Sequence, residues 1–201
     1  QPTYIIAEIG INHNGDVNLA KQLIDVADAS KVDAVKLQKR HLPSLYRQDV
    51  LDDTLKYEQN FQYMIPVLKS VELTENQFVE LKKYSEDKGL EFLCTPFDIP
   101  SAEFLASLKV NAYKIASADL TNLELLEHVA RKGKPMLVST GMSYWNEIKK
   151  AVEVLKKKEV PFALLHCRSV YPVWPREVNL RMINKLGQFG RPVGYSGHDI
   201  G

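Results

Sequence analysis

The sequence has few of the features that mark secreted, membrane or nucleic-acid-binding proteins. It contains two cysteines in 201 residues, Cys94 and Cys167, and both lie inside apolar runs, so a disulfide framework is not expected. Its 26 basic and 25 acidic side chains give a net charge of +1 and no basic patch for nucleic acid. No apolar run approaches the ~20 residues that span a bilayer, and the N-terminal residues lack a signal-peptide pattern. These absences predict a cytoplasmic protein with no nucleic-acid or membrane partner.

One structural unit recurs along the chain, although CxxC, HExxH and GxGxxG motifs are missing. The unit is a short apolar run rich in β-branched residues, a polar junction and an amphipathic stretch of helical period. Thr74 with Gln77 and Thr121 with Glu124 have the spacing of capping boxes that begin helices. Alternation at this spacing predicts βαβ units and a parallel sheet. The predicted strands cover residues 4–9, 33–38, 90–95, 112–117, 135–140, 162–167 and 192–196, and the predicted helices 18–30, 75–88, 101–108, 123–132, 144–158 and 179–189.

Polar or ionisable side chains stand near the C-terminal end of nearly every predicted strand. A doubly wound sheet would concentrate its chemistry at one switch point, whereas a ring of such groups is typical of a TIM (βα)8 barrel. We therefore expect an α/β barrel. The strand-end residues are Glu8, Lys36, Gln38, Thr95, Lys114, Ser117, Ser139, His166, Ser169, Ser196 and His198.

The length falls short of a whole barrel, which typically needs ~250 residues. Seven strands and six helices can be counted, and an open barrel leaves two strand edges unpaired. We expect residues 1–201 to form one barrel domain that stops before its eighth strand. Residues 42–72 form an unusually long connection between the second predicted strand and its helix. Their aromatic side chains suggest either a loop that folds over the mouth of the barrel with one helical turn, or a plain surface excursion.

The predicted mouth has the chemistry of an anion site. Lysines at positions 36 and 114 lie within strands, where a charge is costly unless it is paired. Together with the serine and threonine hydroxyls, they suit a phosphate or a phosphate with a carboxylate. A purely structural ion pair between Lys36 and Glu8 remains an alternative. His198, at the exit of the last strand, is a candidate metal ligand or an ordinary loop histidine.

Seven ordered segments carry a resemblance to a known family. They resemble the sialic acid synthases, that is N-acetylneuraminate synthase and its relatives for legionaminic, pseudaminic and spore-coat sugars. The likeness covers essentially the whole chain. The segments are residues 8–15 (EIGINHNG), 35–38 (VKLQ), 113–119 (YKIASAD), 137–142 (LVSTGM), 164–167 (LLHC), 171–172 (YP) and 194–198 (GYSGH).

The resemblance implies a reaction and a set of roles. The family condenses phosphoenolpyruvate with an N-acylhexosamine such as N-acetylmannosamine, releases phosphate and uses Mn²⁺ or Mg²⁺. It implies that Glu8 is the active-site glutamate and His198 one of two metal histidines. It assigns Lys36, Thr95, Lys114, Ser117, Ser139 and Ser196 to phosphoenolpyruvate, and Gln38, Asp119 and Tyr171 to the sugar. With Glu8, the two lysines form the expected catalytic group.

The resemblance also implies parts outside this sequence. The second metal histidine would lie on the eighth strand, beyond Gly201, followed by an antifreeze-like domain that reaches the partner's site in a homodimer. Four positions depart from common family residues. Asp119 stands where some members have Glu, Ser169 where some have Asn, Arg168 where Thr is common, and Gly197 where others have Asp.

Two other functions remain open at this point. A 3-deoxy-sugar-acid phosphate synthase on the same barrel would need a second phosphate site, and the sequence shows no further basic cluster for one. A non-catalytic barrel that binds a sugar or a partner would have no need of Glu8, both lysines and His198. The sequence does not decide which nonulosonic acid is made, whether the sugar carries a phosphate, or whether the segment folds and works alone.

Overall fold

The computed structural model describes residues 2–200, which fall into two compact units, the first ending at Val110 and the second beginning at Asn111. Within each unit the strands pair in parallel with their neighbours in chain order. The strands are β1 (Ile6–Gly10), β2 (Ala34–Lys39), β3 (Glu91–Pro96), β4 (Tyr113–Ile115), β5 (Met136–Ser139), β6 (Phe162–Cys167) and β7 (Val193–Ser196). The helices are α1 (Val17–Ala29), α2 (Leu42–Leu45), α3 (Gln48–Asp52), α4 (Gln59–Ser70), α5 (Glu75–Asp87), α6 (Ile99–Ser107), α7 (Leu123–Ala130), α8 (Trp145–Lys157) and α9 (Met182–Gly187).

The first unit places its polar residues by strand register. Glu8 is the register partner of Lys36, and Gln38 is the partner of Thr95. Since residues two apart share a face of a strand, Lys36 and Gln38 point the same way. Leu37, between them, is fully buried and belongs to the opposite face. The register therefore brings the predicted strand-end groups of this unit to one edge.

Residues 42–72 are more ordered than the sequence suggests. The single helical turn expected there is wrong, because the segment contains helices α2, α3 and α4 and a 3-10 turn at Thr54–Lys56. These helices share a small core of their own, whereas Tyr63 on α4 is exposed. The core consists of Leu42, Val50, Leu51, Ile65 and Leu68, with Tyr46, Tyr57 and Phe61 packed against it.

Both ends of this segment are tied to the strands that flank it. Next to α2, the backbone N–H of His41 donates to Asp98 Oδ2 over 2.7 Å. Asp98 Oδ1 also accepts from the Ser101 N–H over 2.7 Å and so caps α6. At the other end, Lys39 Nζ lies 3.6 Å from Glu72 Oε1. The segment thus leaves and returns at the C-terminal ends of β2 and β3.

The second unit follows the same alternation of strand and helix. Helix α8 buries Ile148, Val152 and Leu155 along one face, as its apolar spacing predicts. The expected cap at Thr121 is wrong, because Asn122 is the residue whose side chain accepts from the Leu125 N–H at the start of α7. The capping box of Thr74 with Gln77 is confirmed.

The predicted α/β class is confirmed, with seven parallel strands of an incomplete TIM-barrel type in the described residues. Strand β6 has the predicted bounds, and the other strands begin or end within two residues of them. Both cysteines are buried, as predicted. In residues 2–200 no helix is long and apolar enough to cross a membrane.

Candidate active site

In the first unit Lys36 contacts both Glu8 and Thr95. Lys36 Nζ forms an ion pair with Glu8 Oε2 and donates to Thr95 Oγ1 over 3.3 Å. The lysine side chain is 9% exposed, whereas the glutamate side chain is 48% exposed. An ammonium this buried needs a carboxylate to offset its desolvation, and the pair provides one. The open side of the carboxylate leaves the cluster accessible to a ligand.

Gln38 joins this cluster through Gly10. The backbone of Gly10 has a φ of +58°, and a Cβ there would lie 3.1 Å from Glu8 Oε1 and 3.4 Å from Gln38 Nε2. The Glu8 and Gln38 side chains therefore pack against the α-carbon of Gly10, a position where only glycine avoids both backbone strain and a close contact. Arg40 donates to Gln38 Oε1 over 2.8 Å and fixes the orientation of the amide.

The second unit forms a set of donors where β4 and β5 end. The Gly141 N–H donates to Ser117 Oγ over 3.0 Å. Lys114, 5% exposed, donates to the Ile115 carbonyl over 2.9 Å. The Oγ of Ser139 is buried and has no hydrogen-bond partner within residues 2–200. A buried hydroxyl without a partner costs stability, so it marks a place where a ligand oxygen can bind.

The end of β6 and the residues after it pack directly against Gly141. A Cβ at this position would lie 2.7 Å from Ser169 Oγ and 2.8 Å from the Cys167 carbonyl oxygen. Cys167 is in turn the register partner of Ser196 on β7. The ends of β5, β6 and β7 thus gather Ser139, Ser169 and Ser196 in one unit.

His198 is oriented by its neighbours. Its Nδ1 is 2.7 Å from the carbonyl oxygen of Arg168, to which it donates, and 3.9 Å from Cys167 Sγ. The ring stacks on Tyr171, with 3.9 Å between centroids and 28° between planes. With Nδ1 donating to the Arg168 carbonyl, Nε2 is the nitrogen left to coordinate a metal, which is the arrangement of a metal-ligating histidine.

Asp119 and Tyr171, which are also predicted site residues, belong to the second unit. Asp119 closes the short 3-10 turn Ser117–Asp119 that follows β4, and Tyr171 is 74% exposed. Near β7, Tyr195 donates to Asp199 Oδ1 over 2.7 Å, and burial together with this bond raises the pKa of Tyr195 to about 12.

In the first unit, burial raises the pKa of the Cys94 thiol to about 12, so this cysteine stays protonated and unreactive.

A cavity of about 770 Å³ in the second unit was not anticipated from the sequence. Its wall includes four basic residues spread over eighteen positions of chain. The sequence showed no cluster because these residues are separated along the chain: one follows β6, one lies in the 3-10 turn Pro175–Glu177, and two lie at the start of α9 and within it. The four are Arg168, Arg176, Arg181 and Lys185.

A scan against protein-family models supports the resemblance. The model of the NeuB family matches residues 23–201. The chain belongs to the NeuB family. Its NeuB-family relatives include the human N-acetylneuraminate-9-phosphate synthase, which is 36% identical over 204 residues, a stretch that is 100% of this chain and 56% of the human protein. The N,N'-diacetyllegionaminic acid synthase of Legionella pneumophila is 39% identical over 210 residues, covering 98% of this chain and 58% of that one.

A solved NeuB-family structure extends the likeness to the fold. The sialic acid synthetase of Leptospira borgpetersenii serovar Hardjo-bovis, in complex with citrate, superposes with a TM-score of 0.90 at 36% identity. The superposition covers 100% of this chain and 67% of that one. The chain spans little more than half the length of the curated relatives it matches. These relatives are sugar-acid synthases, which supports a function of that kind.

Proposed function

We propose that this chain carries the catalytic barrel portion of a synthase that condenses phosphoenolpyruvate with an N-acylhexosamine and releases phosphate. The observation that carries the proposal is the buried Lys36 ammonium with its half-exposed Glu8 partner. Lys36 also donates to Thr95 Oγ1 over 3.3 Å, so a buried charge and a hydroxyl stand together beside an open carboxylate. The NeuB family membership and the names of the relatives support the same reaction class.

Phosphoenolpyruvate carries a phosphate and a carboxylate. Lysine ammonium groups and serine and threonine hydroxyls are its proposed binding groups. In the first unit Lys36 and Thr95 supply a charge and a donor that already touch each other. In the second unit the resemblance assigns Lys114 and the hydroxyls of Ser117, Ser139 and Ser196. Positive charge close to the phosphate stabilises the negative charge that develops as the phosphate departs.

Glu8 is the proposed proton-handling group. C3 of phosphoenolpyruvate forms the new C–C bond with the sugar aldehyde, water adds to C2, and collapse of the tetrahedral intermediate breaks the C2–O bond to phosphate. The attacking water must lose a proton, and the Glu8 carboxylate, exposed on one side, is able to accept it.

A divalent metal is part of the proposal, and His198 fits it as a ligand. The Nδ1 bond to the Arg168 carbonyl leaves Nε2 as the donor atom. In the described part of the chain no group of three or more histidine, cysteine, aspartate or glutamate residues is arranged to hold a metal. When bound, Mn²⁺ or Mg²⁺ would polarise the sugar aldehyde as a Lewis acid.

The proposal also covers the residues that bind the sugar and the homodimer that the longer protein would form. Gln38, Asp119 and Tyr171 are assigned to hydroxyl and acyl groups of the sugar, and Arg40 holds the Gln38 amide in place. The homodimer and the C-terminal antifreeze-like domain, both implied by the resemblance, belong to the same proposal for the longer protein.

Calorimetric titration of the chain with phosphoenolpyruvate tests the proposal. We expect binding that is lost in Lys36→Met, because the buried charge that meets the anion is gone. Lys39→Met is a matched control, since Lys39 is a buried lysine of the same strand that pairs with Glu72 and lies on the other face. Binding that survives Lys36→Met, or no binding by the folded parent chain, would favour a barrel without this chemistry.

A further inference from the structure

The basic cavity of the second unit lies at the ends of β5 and β6. Thr140 and Ser143, which follow β5, form part of its wall, and Arg168 follows β6. The cavity therefore begins one residue after Ser139, which the proposed function assigns to phosphoenolpyruvate. Its volume of about 770 Å³ falls in the range of small-molecule sites and exceeds what a single phosphate ion needs.

The charge of the wall is of one sign. Among the residues that line the cavity within the described chain, four are basic and none is acidic. None of these four cations has an ion-pair partner in residues 2–200, although Lys185 Nζ sits 4.4 Å from the centre of the Trp145 ring. Arginine forks prefer phosphate and carboxylate oxygens, and uncompensated cations around a concave wall raise the local concentration of anions.

Two buried donors in the wall lack partners as well. The Arg168 Nε and the Ser143 Oγ are both inaccessible to solvent and make no hydrogen bond in the part of the chain described. Leaving a buried donor unsatisfied is costly, and native proteins do so where a ligand completes the bond. The two atoms come from different loops, and the Ser143 hydroxyl, which is not one of the four cations, is an observation separate from the charge of the wall.

The backbone of Arg168 links the cavity to the proposed catalytic residues. Its carbonyl oxygen holds His198 Nδ1 at 2.7 Å, while its side chain lines the cavity. A ligand bound to the arginine thus lies next to the residue that orients the candidate metal ligand. Resting on the proposed function, we propose that this cavity binds a phosphate group carried by the sugar substrate, so that the chain prefers a phosphorylated N-acylhexosamine.

Phosphate in this cavity has two conceivable sources, the sugar or free inorganic phosphate. Titration of the chain with N-acetylmannosamine 6-phosphate, N-acetylmannosamine and inorganic phosphate separates them. We expect the sugar phosphate to bind at least tenfold more tightly than either of the other two. Equal affinities for the two sugars would overturn the proposal, and so would inorganic phosphate binding as tightly as the sugar phosphate.

Substitutions of two arginines in the cavity wall test whether the sugar phosphate binds there. Arg176 and Arg181 are exposed, so Arg176→Ala and Arg181→Ala are expected to fold normally. Each should weaken the sugar phosphate several-fold and leave unphosphorylated sugar unchanged. Lys150→Ala, which removes an exposed cation of α8 outside the cavity, serves as the control. A preference for the phosphate that survives both arginine substitutions would place the binding elsewhere and refute the assignment.

Phosphoenolpyruvate, titrated into the same variants, keeps this test apart from the proposed function. If phosphoenolpyruvate binds the parent and both variants equally while no sugar phosphate preference is found, the cavity assignment fails and the proposed function stands. If the phosphate preference follows the two arginines but phosphoenolpyruvate does not bind, the cavity is an anion site and the proposed reaction is wrong.

Discussion

Lys36 and Glu8 form an ion pair in which the ammonium is buried and the carboxylate is half exposed. The two residues reach each other because they are register partners on β1 and β2. The lysine is thereby fixed in position, while one side of the glutamate remains open to an arriving substrate. A ligand anion that approaches Lys36 meets a carboxylate already bound to it, so the two compete for the same charge.

Replacing Glu8 separates the two roles of this pair. In Glu8→Gln we expect turnover, measured as phosphate release from phosphoenolpyruvate and N-acetylmannosamine, to fall about 100-fold or more because the proton acceptor is lost. Calorimetry should show phosphoenolpyruvate binding at least as tightly as in the parent, since the competing carboxylate is gone. Glu72→Gln, which alters the neighbouring pair with Lys39, is the control. Turnover close to that of the parent would remove Glu8 from the proposed role.

Gly10 is predicted to be needed for more than backbone conformation. Gly10→Ala and Gly89→Ala both place a side chain at positive φ, +58° and +76°, and each should lower the free energy of unfolding by about 1–2 kcal/mol. Only at Gly10 does the added Cβ meet other atoms, those of Glu8 and Gln38. Urea unfolding should therefore show similar losses, whereas phosphoenolpyruvate binding weakens in Gly10→Ala alone. Equal binding by the two variants would contradict the placement of Glu8.

Gly141 is predicted to tolerate no side chain. A Cβ would fall 2.7 Å from Ser169 Oγ and 2.8 Å from a backbone carbonyl oxygen, so Gly141→Ala must move the loop and break the bond to Ser117. We expect the free energy of unfolding, from urea titration, to fall by about 1–3 kcal/mol. Gly187→Ala is the control, because nothing lies within 4 Å of its added Cβ. A neutral Gly141→Ala would mean that the chain does not approach this closely.

His13 gives the protein a predicted dependence on pH. The side chain is buried, which lowers the pKa of His13 below 6.5, and its Nδ1 accepts the Gly15 N–H over 3.1 Å. Because the unfolded chain takes up the proton more readily, the stabilisation is complete above pH 6.5 and is lost as the pH falls from there through the folded-state pKa.

Unfolding free energies measured across this range should therefore decline below pH 6.5 in the parent. The decline should be smaller in His13→Gln and unchanged in His41→Gln, which alters an exposed histidine. An equal decline in all three proteins would assign the effect to other groups.

The sequence predicts the strands well for a physical reason. Strands buried on both faces read as short apolar runs, and β6 emerged with its exact bounds for residues 162–167. Strand alternation also predicts that Lys36 and Gln38 share one face of β2. The register agrees, because it pairs Lys36 with Glu8 on β1 and Gln38 with Thr95 on β3. The association of Glu8 with Lys36 was foreseen only as an alternative.

The parts that escaped prediction depend on tertiary contacts. Helices α2 and α3 have four and five residues, too few for a periodic pattern and too short to form without packing. Their existence rests on the small core around Leu51 and Ile65. The basic cavity escaped for a related reason, since Arg168 and Arg181 become neighbours only after β6 and α9 have folded together.

Asp98 makes the excursion over residues 42–72 a replaceable module. With His41 tied to Asp98 at one end and Glu72 tied to Lys39 at the other, the two junctions are set by residues of, or adjacent to, β2 and β3. Loop-closure entropy grows only slowly with length, so a longer or shorter module with its own small core can occupy the same pair of anchors. Insertions or deletions between His41 and Glu72 are therefore expected to leave the contact of Lys36 with Thr95 in place, because that contact depends on β2 and β3 alone.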